Sequence, residues 1–288
     1  MRPRKMAVSK AKEALFVVAF IASIIVALGT LAILLGAVIG QALPYMKASV
    51  IVNYANFHDP SAAGYSAAIV GTAWIVGLTM LFSLPLGIGA AIYLEEYGGQ
   101  RRTARFLQAA VTNLAGVPSV VFGLLGLALF VRPPLNLGST VLSGSLTMTM
   151  LVFPYVVIST QEAIRAVPST VRESALALGA TKWQTIKHQV MPAAAPGLLT
   201  GTILTASRAI GETAPLIVIG AVALQTFLPY GPGSPFVALP VQIYAYIGLP
   251  GNEWRGVAAA GMVILLAMLF TFNLAAILAR NRLQRLRW

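Results

Sequence analysis

The sequence predicts an all-α integral membrane protein with six transmembrane helices. Three observations carry this reading. The first is composition: 58% of the 288 residues are hydrophobic and only 10% are charged, with mean hydropathy +0.81, whereas soluble domains carry roughly 25% charged residues. The second is a series of charge-free stretches long enough for helices of about 20 residues. The third is the distribution of the 20 basic residues between alternate connecting segments. With no cysteine, disulfide scaffolds, thiol nucleophiles and cysteine metal sites are excluded.

Taken in order, the first span is expected over 14–39, because no charge lies between Glu13 and Lys47. This stretch exceeds the 7–15 residue apolar core of a cleaved signal, so a retained span is expected. The second runs over 66–94, and the third over 106–131 between Arg105 and Arg132. The fourth is expected over 140–160, and the fifth over 196–222 with Arg208 and Glu212 inside it. The sixth lies between Arg255 and Arg280. Helices are expected throughout, because a helix satisfies its own backbone in lipid. Barrel strands would alternate in short segments.

Six spans place sixteen basic residues on one side. They fall in the first tail, the 95–105 connection, the 161–192 connection and the last tail. The other side has Lys47, Arg132 and Arg255 alone. This asymmetry predicts a multi-pass protein of a bacterial-type cytoplasmic (inner) membrane with both termini cytoplasmic. The net charge of +12 is thereby read as orientation and lipid contact, not nucleic-acid binding. The boundaries follow: a cytoplasmic tail 1–13, a first helix and external loop 14–64, a main transmembrane domain 65–280, and a cytoplasmic tail 281–288. In the external segment 223–255, rich in Pro, Gly and Tyr, most aromatics are assigned to the membrane interface. The chain contains no phosphate-binding glycine loop ending in Lys-Ser/Thr. His58 and His188 lie far apart in the sequence, and neither belongs to a cluster with metal-ligand spacing. Catalysis and a resident metal have no support.

The connection 161–192 looks too structured for a plain loop. Thr170 with Glu173, and Thr181 with Gln184, have capping-box spacing. Gly179 suits the position just past a helix end. Val171, Ala175 and Leu178 share one face, Trp183, Ile186 and Val190 another, and Pro192 is placed after the second helix. Two short helices meeting at Gly179 are therefore expected. Glu95 and Glu96 are expected to be solvated at the end of the second span. An interfacial helix, a DNA-binding helix-turn-helix and a docking element for a cytoplasmic partner all fit this pattern.

Glu173-Ser174-Ala175, then Gly179, then Met191-Pro192 resembles the Glu-Ala-Ala…Gly…Leu-Pro loop of ABC-importer permeases. Ser174, Gln189 and Met191 depart from that pattern. Ala206-Ser-Arg208-Ala-Ile-Gly-Glu212-Thr-Ala-Pro215 is similar to the signature of phosphate-importer permeases of the PstA type. Ala90-Ala-Ile-Tyr93-Leu-Glu95-Glu-Tyr97-Gly98 and Gly116-Val-Pro118-Ser-Val-Val-Phe-Gly123 also resemble that type. The resemblance covers roughly 65–280.

It implies a type I ABC-importer permease fold and a phosphate-import function. Glu173, Ser174, Ala175, Gly179 and Pro192 would belong to the loop that docks on an ATPase. The partners implied are a second permease of the PstC type, a dimeric PstB-type ATPase holding ATP and magnesium, and an external PstS-type phosphate-binding protein. No cofactor is expected in this chain.

Arg208 and Glu212, four apart, are expected to share a helix face. Charge at membrane depth costs roughly 2.5–3.5 kcal/mol each on insertion scales, so the pair is read as lining a translocation path. A packing ion pair is the alternative. A sulfate or molybdate permease and an ion-coupled secondary transporter using Glu212 are the competing functions. The latter class often shows internal repeats, and no clear one is present.

Overall fold

The computed structural model describes residues 3–99, 101–221 and 225–285. The described chain is helical. Five of its helical runs are long and apolar enough to cross a membrane, or six when one bent pair is counted as a single span.

Helix α1 (Pro3–Ala42) begins within the expected tail. Its apolar side chains face outward along most of its length, Phe16, Ile25 and Ile33 among them. Only its far end joins the body, through Val38, Ala42 and Tyr45. The short α2 (Ala48–Val52) follows. Helix α3 (Ser66–Ile92) continues as a π-turn, Tyr93–Tyr97.

The predicted third span is broken. Helix α4 (Arg102–Ala115) and α5 (Ser119–Gly126, extended by the π-turn Leu127–Val131) meet at 104°. Pro118 explains the break, because it caps α5 with extended backbone and disfavours helix in the residue before it. At 14 residues, and 8 plus 5, each half is about 20 Å long, short of the roughly 30 Å hydrocarbon layer. By contrast, Pro154 lies inside an unbroken α6 (Val141–Arg165).

Helices α7 (Ser169–Ala177) and α8 (Lys182–Thr185) form the expected hairpin. Through the π-turn Ile186–Val190, α8 then runs into α9 (Met191–Gly211). Pro192 therefore lies within a continuing helix, directly after the π-turn, and does not follow a helix end. The expected fifth span stops early. Helix α9 ends at Gly211, α10 (Ala214–Val218) is a separate turn, and position 222 lies outside the described residues.

Helix α6 is the centre, with α3 and α9 packed along it. Glycines permit the closest approaches. A side chain at Gly197 would meet Ala163, one at Gly201 would meet Ser159, and one at Gly126 would meet Thr147.

Segment 225–251 is not an interfacial aromatic belt. Val237, Leu239, Gln242 and Tyr246 are fully buried between α3 and α12 (Asn252–Arg285), Phe236 is fully buried against Gly144 of α6, and Leu239–Ile247 forms α11. Tyr230 and Tyr244 stay exposed. The segment supplies partners that buried backbone needs. Ser234 and Pro232 carbonyls accept from Val141 and Leu142 N–H at 2.9 and 2.8 Å, completing the α6 N-terminus beside the Thr140–Ser143 capping box. The Leu239 N–H donates to Thr72 Oγ1 at 2.8 Å. Tyr246 packs edge-on against Phe57 and Tyr65 and stacks on Trp254.

At Gly71 an added methyl would collide with the Val237 carbonyl oxygen. Gly71→Ala is therefore expected to cost about 1–3 kcal/mol. Thermal unfolding of the detergent-solubilised protein should show a lower midpoint than for Gly77→Ala, where the added methyl meets open space.

Candidate functional site

Two sites emerge: a cleft between α6 and α9, and the hairpin α7–α8.

The cleft has a volume of about 460 Å³. Helix α6 contributes Tyr155, Ile158, Ser159 and Glu162, and α9 contributes Gly201, Leu204, Thr205 and Arg208. Both sets follow i, i+3, i+4, i+7 spacing, one helical stripe facing another. The Gly201–Ser159 approach brings the two stripes together. The Arg208 guanidinium lies 4.1 Å from the centre of the Tyr155 ring. The Tyr155 hydroxyl donates to the Ala115 carbonyl at 2.8 Å, at the end of α4 beside the bend. The ring face occupies the face of the cation, while the in-plane N–H fork stays available for a planar or tetrahedral oxyanion.

Arg208 makes no ion pair among the described residues. The packing ion pair with Glu212, the alternative reading of these two charges, does not form. Glu212 terminates α9 with φ −76° and ψ 123°, so the four-residue spacing no longer places the two on one helix face, and Glu212 does not line the cleft. Glu162 is the acid there, about 10 Å along α6 from Tyr155. Sequence reasoning missed Tyr155, Ser159 and Glu162. Their seven-residue stripe on the fourth span is the signal that marks them.

In the hairpin, Gly179 has φ +84°, a conformation that glycine adopts without strain. Its N–H donates to the Leu176 carbonyl at 3.0 Å, and the Ala180 N–H donates to the Ala175 carbonyl at 3.1 Å. This is the helix-ending geometry its position suggested. The Thr181–Gln184 capping box forms, but the Thr170–Glu173 box does not. Helix α7 starts at Ser169, with Pro168 as its cap, so Thr170 is already inside. Ile186 and Val190 are buried, and Val171 is partly buried against the same core. Leu178 and Trp183 leave their predicted faces. They are 89% and 55% exposed, beside an exposed Leu176. Glu173 and Ser174 are also exposed, and Ala175 is half-buried. The hairpin thus presents apolar and acidic side chains outward from a base fixed on α6 and α9.

Glu95 and Glu96 are not solvated. Glu95 pairs with Arg165 and Glu96 with Arg172. Among the described residues no cluster of His, Asp or Glu suits a metal ion.

The profile of a family described as "Binding-protein-dependent transport system inner membrane component" matches residues 83–285. The chain belongs to this family. Curated relatives agree. The probable ABC transporter permease protein YqgI of Bacillus subtilis is 31% identical over 75% of this chain and 77% of its own length. The phosphate transport system permease PstA of Haemophilus influenzae is 34% identical over 73% of each chain. PstA 1 of Mycobacterium tuberculosis is 34% identical over 76% of this chain and 71% of its own. The fold is similar to that of an inward-facing MetNI methionine ABC transporter, with TM-score 0.58 and 18% identity over 75% of this chain and 96% of that one. The architecture is the type I ABC-importer permease fold. As a member of this ABC-permease family, the chain is an inner-membrane transporter subunit, and the secondary-transporter and DNA-binding readings are not favoured.

Removing the Thr181 cap should loosen α8 locally. For Thr181→Ala we expect amide exchange over 182–185 to rise about fivefold, matching a cap worth about 1 kcal/mol, with exchange in α6 unchanged. Hydrogen-exchange mass spectrometry checks this.

Proposed function

We propose that the chain is a permease subunit of an ATP-driven inorganic phosphate importer. The observation that carries this reading is Arg208, a cation on a membrane-spanning helix, stacked on Tyr155 in a cleft and without an acidic partner among the described residues. An unpaired charge at this depth is costly, and an anion passing through the cleft offsets that cost. The PstA names of relatives from H. influenzae and M. tuberculosis support phosphate as that anion.

In this reading Arg208 attracts the anion with its free N–H fork, and Tyr155 holds the guanidinium toward the cleft. Glu162 limits retention: a carboxylate repels a bound anion and keeps the site from becoming a trap. A second permease of the PstC type completes the path on the open side of the cleft. An external PstS-type protein delivers phosphate. The exposed hairpin residues Glu173, Ser174, Leu176, Leu178 and Trp183 dock on a dimeric PstB-type ATPase, which holds ATP and magnesium. Hydrolysis there drives alternating access, with Gly179 and Pro192 shaping the loop that transmits it. The excess of basic residues near the hairpin and both termini supports a cytoplasmic location for these segments. Glu212, at the break between α9 and α10, is assigned to the far end of the path.

The test is labelled-phosphate uptake into vesicles holding this chain, the second permease, the ATPase and the binding protein. ATP-dependent uptake that excess sulfate and molybdate leave intact is expected. Uptake blocked by either competitor, or none from an assembled complex, would overturn the phosphate assignment. Arg208→Gln should lower uptake about 10- to 100-fold, as for loss of a charge-assisted contact of about 1.5–3 kcal/mol, at unchanged assembly. Gly179→Pro should abolish coupled uptake while membrane insertion persists, because proline requires φ near −65° where the chain has +84°. Membrane fractionation and uptake at matched protein level measure both effects.

A further inference from the structure

The π-turn ending α3 carries Glu95, Glu96 and Tyr97 in succession, and they hold the end of α6, α7 and α8 respectively. Arg165, the last residue of α6, donates Nε to Glu95 Oε2 at 2.9 Å and Nη2 to the other carboxylate oxygen. Arg172 in α7 donates Nε to Glu96 Oε1 at 3.0 Å. Its two terminal nitrogens donate to the Val167 and Ile164 carbonyls, each at 2.9 Å. Lys182 Nζ, at the start of α8, stands 5.0 Å from the centre of the Tyr97 ring.

These contacts are more than a solvated charge pattern. The Glu96 side chain is 9% exposed and the Arg172 side chain 24%. Arg172 directs its guanidinium to three acceptors at once: the Glu96 carboxylate, the Ile164 carbonyl in the last turn of α6 and the Val167 carbonyl just past it. Removing either partner would leave a charge nearly buried and uncompensated. The turn is also a departure from regular helix, of a kind frequent at functional positions.

Topology makes the contacts matter. The hairpin is covalently joined to α6 on one side and α9 on the other. Helix α3 has no covalent link to it. The turn 95–97 holds the end of α6 and both hairpin helices from α3.

We infer that Glu95, Glu96 and Tyr97 are positioning residues that lock α3 to the hairpin, so that hairpin displacement by the ATPase moves α3 together with α6 and α9. The inference rests on the proposed docking role of the hairpin and adds the element through which its motion spreads. The clamp stays closed through the transport cycle. Its loss uncouples hydrolysis from passage and leaves ATPase binding intact.

The test uses the assembled complex in vesicles, with phosphate uptake and ATP hydrolysis measured together. Glu96→Gln and Tyr97→Leu are each expected to lower phosphate moved per ATP by about 3- to 30-fold, with hydrolysis retained. Because the chain has no cysteine, the contact can also be replaced covalently. The double variant Glu96→Cys with Arg172→Cys should be uncoupled, should regain its ratio when joined by a reducible bifunctional thiosulfonate, and should lose it again on reduction.

An unchanged ratio in Glu96→Gln would overturn the clamp. So would a crosslink that blocks uptake until reduced, since the contact would then have to open during transport. If Glu96→Gln fails to assemble, the crosslinked pair decides between a closed clamp and none. Failure of the wild-type complex to bind the ATPase would instead sink the docking role of the hairpin, an outcome distinct from a coupled wild type with unaffected variants.

Discussion

The close crossing of α6 and α9 is the constraint on which the rest depends. Gly197 against Ala163 and Gly201 against Ser159 let two backbones approach where any larger side chain would separate them. Helices in lipid gain little from burying apolar surface against each other, so close packing and polar contacts must hold them together. The crossing does this, and it sets two polar stripes face to face. The cleft with Arg208 is the direct consequence. A wider crossing would leave the guanidinium in lipid, away from the Tyr155 ring.

Tyr155 ties this site to the bent helix pair. Its ring supports Arg208 and its hydroxyl binds the end of α4. Inside α5, beyond the bend, Gly123 admits Pro215 and Val218 from α10. The broken third span and the broken end of α9 therefore pack on each other. Breaks in membrane helices survive where protein or water covers the freed backbone; here α10, the turn beyond the end of α9, packs on α5, the half beyond the bend. Segment 232–246, buried over 236–243, works on the same rule, satisfying the first turn of α6 from outside.

At the other end of the bundle, electrostatics replaces close packing. Three basic residues belonging to three helices converge on one turn of α3. The Glu96–Arg172 pair is partly buried, so it is screened less than a surface ion pair. The outward side of the same hairpin carries unpaired Leu178 and Trp183. A rigid base under an adhesive surface suits an element that receives force from a partner and passes it on.

Much of this was legible in the sequence, and the reasons are local. Charge-free runs mark helices because the bilayer sets a minimum apolar length. Gly179 was recognisable because a helix end with positive φ selects glycine, and Thr181 with Gln184 because a capping box closes within four residues. Arg208 was identifiable from the cost of a charge in a spanning segment. The Thr170–Glu173 box misled because Pro168 starts the helix two residues sooner, a choice between two adequate local signals. What only the tertiary structure decided are the pairings. Whether Arg208 meets Glu212 or shares its cleft with Glu162, whether Glu95 and Glu96 face water or Arg165 and Arg172, and whether Phe236 and Tyr246 lie at an interface or in a core depend on how separate helices pack. Periodicity gives each helix a face but does not name the face it meets. That is set by small residues at crossings, by breaks in otherwise regular helices, and by the need of every buried polar group for a partner from elsewhere in the chain.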